Sequence, residues 1–201
     1  KRRSIQYLEK NLGMSISPPL FLVTYHPVTL NLQPETALNN LFLALDEFND
    51  ANIVFTGSNL DASGVLIDSL IQSYVSKNSK TMRYRKSLGA ENYLSLMSYA
   101  NVVIGNSSSG LLEAPSVGVP TVNIGLRQHG RLEAKSVITC GEDTASIVAA
   151  IKASLGADRQ AIASRRQTPY GEAGAAKRVA KILESVDLEN LLFKKFYSIS
   201  K

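Results

Sequence analysis

Short apolar runs rich in β-branched and aromatic residues alternate along this chain with segments of helical periodicity, joined by short links. No other feature constrains the fold as tightly. Strand–helix–strand units with right-handed crossovers build a parallel sheet carrying helices on its faces. The predicted strands are Leu20–Tyr25, Asn52–Thr56, Thr81–Tyr84, Asn101–Ile104, Pro120–Ile124 and Ser136–Thr139. After the first, Leu38, Leu41, Phe42 and Leu45 recur at helical spacing on one face. Further helices are expected over 64–76, 91–99, 110–117, 143–155 and from about 172 to 196. The expected fold class is α/β: a Rossmann-like parallel sheet of about six strands with helices on both faces.

Ligands of such sheets bind outside the carboxyl ends of the strands. Three polar clusters fall there: His26 after the first strand, Gly57-Ser58-Asn59 after the second, and the run from Gly105 to Gly110, G-N-S-S-S-G, after the fourth. The serine run admits three readings. A nucleophile elbow needs G-x-S-x-G, but four places after Gly105 stands Ser109, and the frame around Ser108 matches only half. His129 lies downstream as a base, with no evident supporting acid. An anion cradle has a direct warrant: free N–H groups at a helix start favour negative charge, small residues let an oxyanion approach, and hydroxyls donate to it. Glu113, one turn on, is a poor phosphate partner but a good acceptor from sugar hydroxyls. The third reading is an ordinary serine N-cap with a glutamate in the first turn. Residue chemistry alone leaves the cradle and the cap standing.

Composition narrows the classes. The net charge of +5 suits an anionic small molecule, and the basic residues are neither interleaved with aromatics nor gathered in a long block. Nucleic acid is therefore not an expected partner. Cys140 is the single cysteine, which excludes an intrachain disulfide and a cysteine-based zinc cluster and fits a reducing cytoplasm. No apolar run approaches the roughly 20 residues of a membrane span. The chain starts without methionine in a helix-like segment, which reads as a piece of a longer protein.

The stretch G-N-S-S-S-G-L-L-E-A-P-S-V-G-V-P-T-V-N-I-G-L-R-Q-H-G-R resembles the non-metal, hydrolysing UDP-N-acetylglucosamine 2-epimerases, which feed sialic acid and related surface-sugar synthesis. Y-H-P-V-T at 25–29, G-S-N-L-D-A-S-G at 57–64 and the tail S-V-D-L-E-N-L-L-F-K-K-F extend the resemblance over nearly the whole chain. It is to the C-terminal half of these enzymes, whose two Rossmann-like domains face each other across a cleft in the GT-B arrangement. The resemblance implies that Ser107 and Ser108 bind the UDP phosphates, that Gly110 opens the helix, and that Glu113 takes the ribose hydroxyls. It implies a place near the nucleotide for Arg127, with Arg131 as rival, and for Asn59 and Asp61, which are otherwise ordinary turn residues. His26 is the one catalytic candidate, at the cleft mouth. Tyr25 reads as core. The family loop after Tyr170-Gly171 departs here to Glu172-Ala173-Gly174, so no ligand contact is carried over to it.

The implied reaction converts UDP-GlcNAc and water to ManNAc and UDP through a glycal, with no cofactor and no metal. The carboxylates doing its proton chemistry belong to an N-terminal domain. Residues 1–19 are thus expected to be a linker and helix entering from that missing domain, 20–170 the nucleotide-binding domain, and 171–201 C-terminal helices returning to it. The expected partners are a UDP-sugar and the missing domain, with pairing of copies another use for the apolar tail. A GT-B glycosyltransferase using a UDP-sugar donor and a non-catalytic nucleotide-sugar-binding module remain the alternatives.

Overall fold

The structure, a computed structural model, describes residues 2–28, 34–58, 64–187 and 189. In chain order the elements are α1 (Ile5–Leu12), β1 (Leu20–Thr24), α2 (Pro34–Leu45), β2 (Asn52–Thr56), α3 (Gly64–Lys77), β3 (Met82–Arg85), α4 (Gly89–Met97), β4 (Val102–Gly105), α5 (Ser109–Leu112), α6 (Ala114–Val117), β5 (Thr121–Ile124), β6 (Val137–Cys140), α7 (Thr144–Leu155), α8 (Ala157–Ser164) and α9 (Ala175–Ser185). The six strands form one sheet, ordered β3-β2-β1-β4-β5-β6, and every pairing is parallel. The expected doubly wound sheet is therefore present. Strand order runs outward from β1 in one direction and from β4 in the other, so the topological switch point lies between β1 and β4, where such folds open a ligand crevice.

Alternation along the strands sorts the core into two layers, because successive side chains point to opposite faces. Phe21, Val23, Ile53, Phe55, Val102, Ile104, Val122 and Ile124 pack with α2, α3 and α7. Leu20, Leu22, Val54 and Val103 pack on the other face with Leu8 and Leu12 of α1, Leu96 and Met97 of α4, and Ala114 of α6. The inner strands β1, β2, β4 and β5 are buried along their whole length, which is why each reads as an unbroken apolar run. The helix ends are set locally. The Ser4 hydroxyl accepts from the Tyr7 N–H at the start of α1, and Asp143 accepts from the Ser146 N–H at the start of α7, as N-caps do.

Two helix predictions need correction. The helix expected over 110–117 is two single turns, α5 and α6, joined at Glu113. Pro115 stands in the first turn of α6 and has no N–H to carry the ladder through the join. The last helix starts at Ala175 rather than near 172, because Gly174 precedes it at φ +95°, a backbone no helix continues through. It ends at Ser185, where Val186 turns extended at φ −80° and ψ 134°, and the rest of the stretch expected to 196 lies mainly outside the described residues. Helix α8 has no counterpart in the sequence reading.

The chain divides into two compact units, Lys1–Pro169 and Tyr170–Lys201. The first holds the whole sheet and α1 to α8. The second holds α9, which buries no residue and exposes Val179, Ile182 and Leu183 at helical spacing. Among the described residues no helix is long and apolar enough to cross a membrane.

Candidate functional site

The site is built where β1 and β4 end. Thr24 and Gly105 are paired in register as the last residues of their strands. Beyond them the chains separate, and the next residues are His26 on one side and Asn106 to Ser109 on the other. Asn106 is fully buried. Its side chain accepts from the His26 N–H at 2.7 Å and donates to the His26 carbonyl at 2.8 Å. Its backbone N–H donates to the Thr24 carbonyl at 3.2 Å. Its own carbonyl accepts from Arg127 Nη1 at 3.1 Å and from Gln128 Nε2 at 2.7 Å. Arg127 is thus brought to the serine run; Arg131 lies exposed further along the same loop.

The N–H groups of Ser107 and Ser108, which follow the end of β4, have no acceptor among the described residues. The Gly110 N–H is already committed, donating to the Ser107 carbonyl at 3.1 Å. Gly110 instead allows close packing: its carbonyl accepts from the Thr121 hydroxyl at 2.7 Å, and a Cβ there would lie 2.6 Å from the Thr121 methyl. Since α5 is one turn long, it offers no long helix dipole to an anion.

Tyr93 of α4 closes one wall, a role that sequence reasoning missed. Its hydroxyl shares a 2.9 Å hydrogen bond with the Ser109 hydroxyl. Burial pushes its phenol above the usual range, hydrogen bonds to Ser109 and Thr24 pull it part of the way back, and the nearby Glu113 charge adds to the rise. Thr24 in turn shares a 2.5 Å contact with the Thr56 hydroxyl. These groups border a cavity of about 280 Å³ lined by Thr56, residues 86–90 and Tyr93. The sequence reading placed a helix over 91–99 without singling out Tyr93, and only its hydroxyl's reach across to α5 marks it.

Glu113, at the join of α5 and α6, has a buried Oε2 with no hydrogen-bond partner among the described residues. On the far side of the serine run, Asn123, His129, Arg131 and Glu133 help line a second cavity of about 490 Å³. Tyr25 is buried, and its hydroxyl has no partner among the described residues; burial first and the Glu142 charge second hold its phenol well above the usual range. Asn59 and Asp61 lie outside the described residues. The hydrogen bonds of Asn106 thus tie His26 and Arg127 to the start of the serine run, Glu113 stands at the end of α5, and Gly110 is buried against Thr121.

Cys140 ends β6, and burial with the neighbouring Asp143 charge pushes its thiol up to about 11. The thiolate is the reactive form. At pH 8 iodoacetamide should therefore alkylate Cys140 in the folded chain at least about tenfold more slowly than in urea. Equal rates, followed by mass spectrometry, would contradict the shielding.

A family model described as UDP-N-acetylglucosamine 2-epimerase matches residues 2–184. The chain is 43% identical over 132 residues to the Campylobacter jejuni GDP/UDP-N,N'-diacetylbacillosamine 2-epimerase (hydrolyzing), covering 65% of this chain and 34% of that protein. It is 34% identical over 197 residues to polysialic acid biosynthesis protein P7 of Escherichia coli, covering 96% of this chain and 50% of that protein. A similar solved fold is the Neisseria meningitidis UDP-GlcNAc 2-epimerase bound to UDP-GlcNAc, with a TM-score of 0.67, 17% identity, and coverage of 90% of this chain and 49% of that one. The chain thus spans half or less of the length of these proteins. With a family model over residues 2–184 and a relative 34% identical over 96% of its length, the chain belongs to the UDP-N-acetylglucosamine 2-epimerase family.

Proposed function

We propose that this chain is the UDP-holding, C-terminal half of a hydrolysing UDP-sugar 2-epimerase. The observation that carries the reading is the pair of N–H groups on Ser107 and Ser108 at the β1–β4 switch point, which no described residue accepts from, with Arg127 brought to the same turn. The diphosphate sits against them, the ribose hydroxyls on Glu113, and the base in the cavity beside Tyr93. In the reaction UDP is eliminated across C1–C2 of the sugar, leaving a glycal, and water adds with the opposite configuration at C2. Negative charge grows on the departing diphosphate, and fixed donors aimed there lower the barrier. His26 is the acid/base or phosphate-contacting group contributed from this half; the carboxylates that move the C2 proton come from the N-terminal half of the relatives. Residues 20–170 are then the nucleotide-binding domain, with 1–19 entering from and 171–201 returning to that other half.

The test uses two proteins. The chain alone should bind UDP in a calorimetric titration and release no ManNAc from UDP-GlcNAc above a buffer blank. Joined to the N-terminal half, it should release ManNAc and UDP in equal amounts, read by proton NMR. Turnover by the chain alone would overturn the division of labour. A new glycosidic bond on an added acceptor would favour the glycosyltransferase. The 43% identity to a diacetylbacillosamine enzyme supports a second reading in which the sugar carries a further acetamido group. Parallel assays of the two UDP-sugars separate these by which has the higher kcat/KM.

A further inference from the structure

We infer that Asn106 is a positioning residue that fixes His26 against the serine cradle, through a two-point amide clamp on the His26 peptide group. The inference rests on the reading of His26 and the serines as the leaving-group side of the site. The two hydrogen bonds, 2.7 Å from the His26 N–H and 2.8 Å to the His26 carbonyl, determine which way the amide faces. A backbone N–H can meet only an oxygen and a carbonyl only an N–H group, so the clamp requires an acceptor and a donor on one planar side chain. The register explains its place. Thr24 opposite Gly105 is the last ladder pair, and the Asn106 amide then stands in for a strand's peptide group one step further on, where the strands have parted.

All four hydrogen-bonding groups of Asn106 are committed. Its N–H holds it to Thr24, and its carbonyl receives Arg127 and Gln128. Because Ser107 follows directly, the same buried residue sets the distance between His26, the cradle and the arginine loop. No exposure remains through which it could meet a ligand itself, so its effect passes through His26 and Ser107.

The chain has only two histidines, His26 and His129, so histidine-selective 15N labelling yields two backbone amide signals, and the exposed-turn His129 serves as internal control. In Asn106→Ala, exchange of the His26 amide with D2O should accelerate at least about 100-fold while His129 changes less than about twofold. A purely structural role would accelerate His26 no more than the loss of global stability, read from the melting temperature of the same variant, accounts for. Asn106→Asp keeps the side-chain volume and the acceptor but removes the donor; it should keep the His26 amide protected and weaken UDP binding at least about tenfold, measured below its melting temperature. His26 exchange unchanged in Asn106→Ala overturns the clamp, as does wild-type UDP affinity in Asn106→Asp. Failure of the wild-type chain to bind UDP would instead overturn the reading of the site, and the exchange measurement would still decide the clamp.

Discussion

Gly105→Ala should abolish stable folding of the sheet, or lower the melting temperature by about 10 °C or more, read by circular dichroism. Gly105 closes β4 at φ +134°, a backbone that L residues rarely adopt. A Cβ built there lies 2.0 Å from the Thr24 carbonyl oxygen and 2.7 Å from its carbon. The obstacle is the backbone of the neighbouring strand, paired in register, so it cannot swing aside as a side chain could. Relief requires β1 and β4 to part at the centre of the sheet, and losses above about 4 kcal/mol follow from strain of that kind in a protein with about 5–15 kcal/mol to lose. Gly110→Ala is the informative contrast. Its new Cβ meets the Thr121 methyl, which can give way, so the cost should stay within about 1–3 kcal/mol. Equal melting temperatures for Gly105→Ala and wild type would mean the close approach of β1 and β4 is not required.

The sheet was legible because its inner strands are buried on both faces and read as apolar runs; each predicted strand lies within a residue or two of the observed one. The crevice was legible for a related reason. His26 and the serine run are polar residues directly after apolar strands, and the fold places those ends together. What sequence reading missed depends on contacts between distant residues. Nothing local says that the Asn106 amide spans the His26 peptide 80 positions away. Tyr93 fits the apolar face of α4, and its contact with Ser109 appears only once α4 and α5 are side by side. The resemblance implied that Gly110 opens the helix; its N–H is spent on a turn and its missing side chain serves packing against Thr121. The break at Glu113 has a local sign in Pro115, which lacks the N–H to carry the helical ladder through the join.

Removing the Glu113 carboxylate should weaken UDP binding by about 10- to 150-fold, the equivalent of about 1.5–3 kcal/mol for a hydrogen bond to a charged group. The basis is the buried Oε2 that no described residue reaches. Burying such an acceptor unpaired costs stability, so a donor from outside the chain is the economical explanation, and a ribose hydroxyl beside a cradled diphosphate is such a donor. Two consequences separate this from a structural role. Glu113→Ala should leave the melting temperature unchanged or slightly raised, since it removes an unsatisfied group. It should also lose the ability to distinguish UDP from 2′,3′-dideoxyuridine diphosphate, because the variant and the analogue delete two ends of one interaction and their losses do not add. Calorimetric titration of both proteins with both ligands completes the cycle. If Glu113→Ala still prefers UDP over the dideoxy compound by the wild-type margin, the ribose contact belongs to another residue, and the orphaned oxygen needs a different donor.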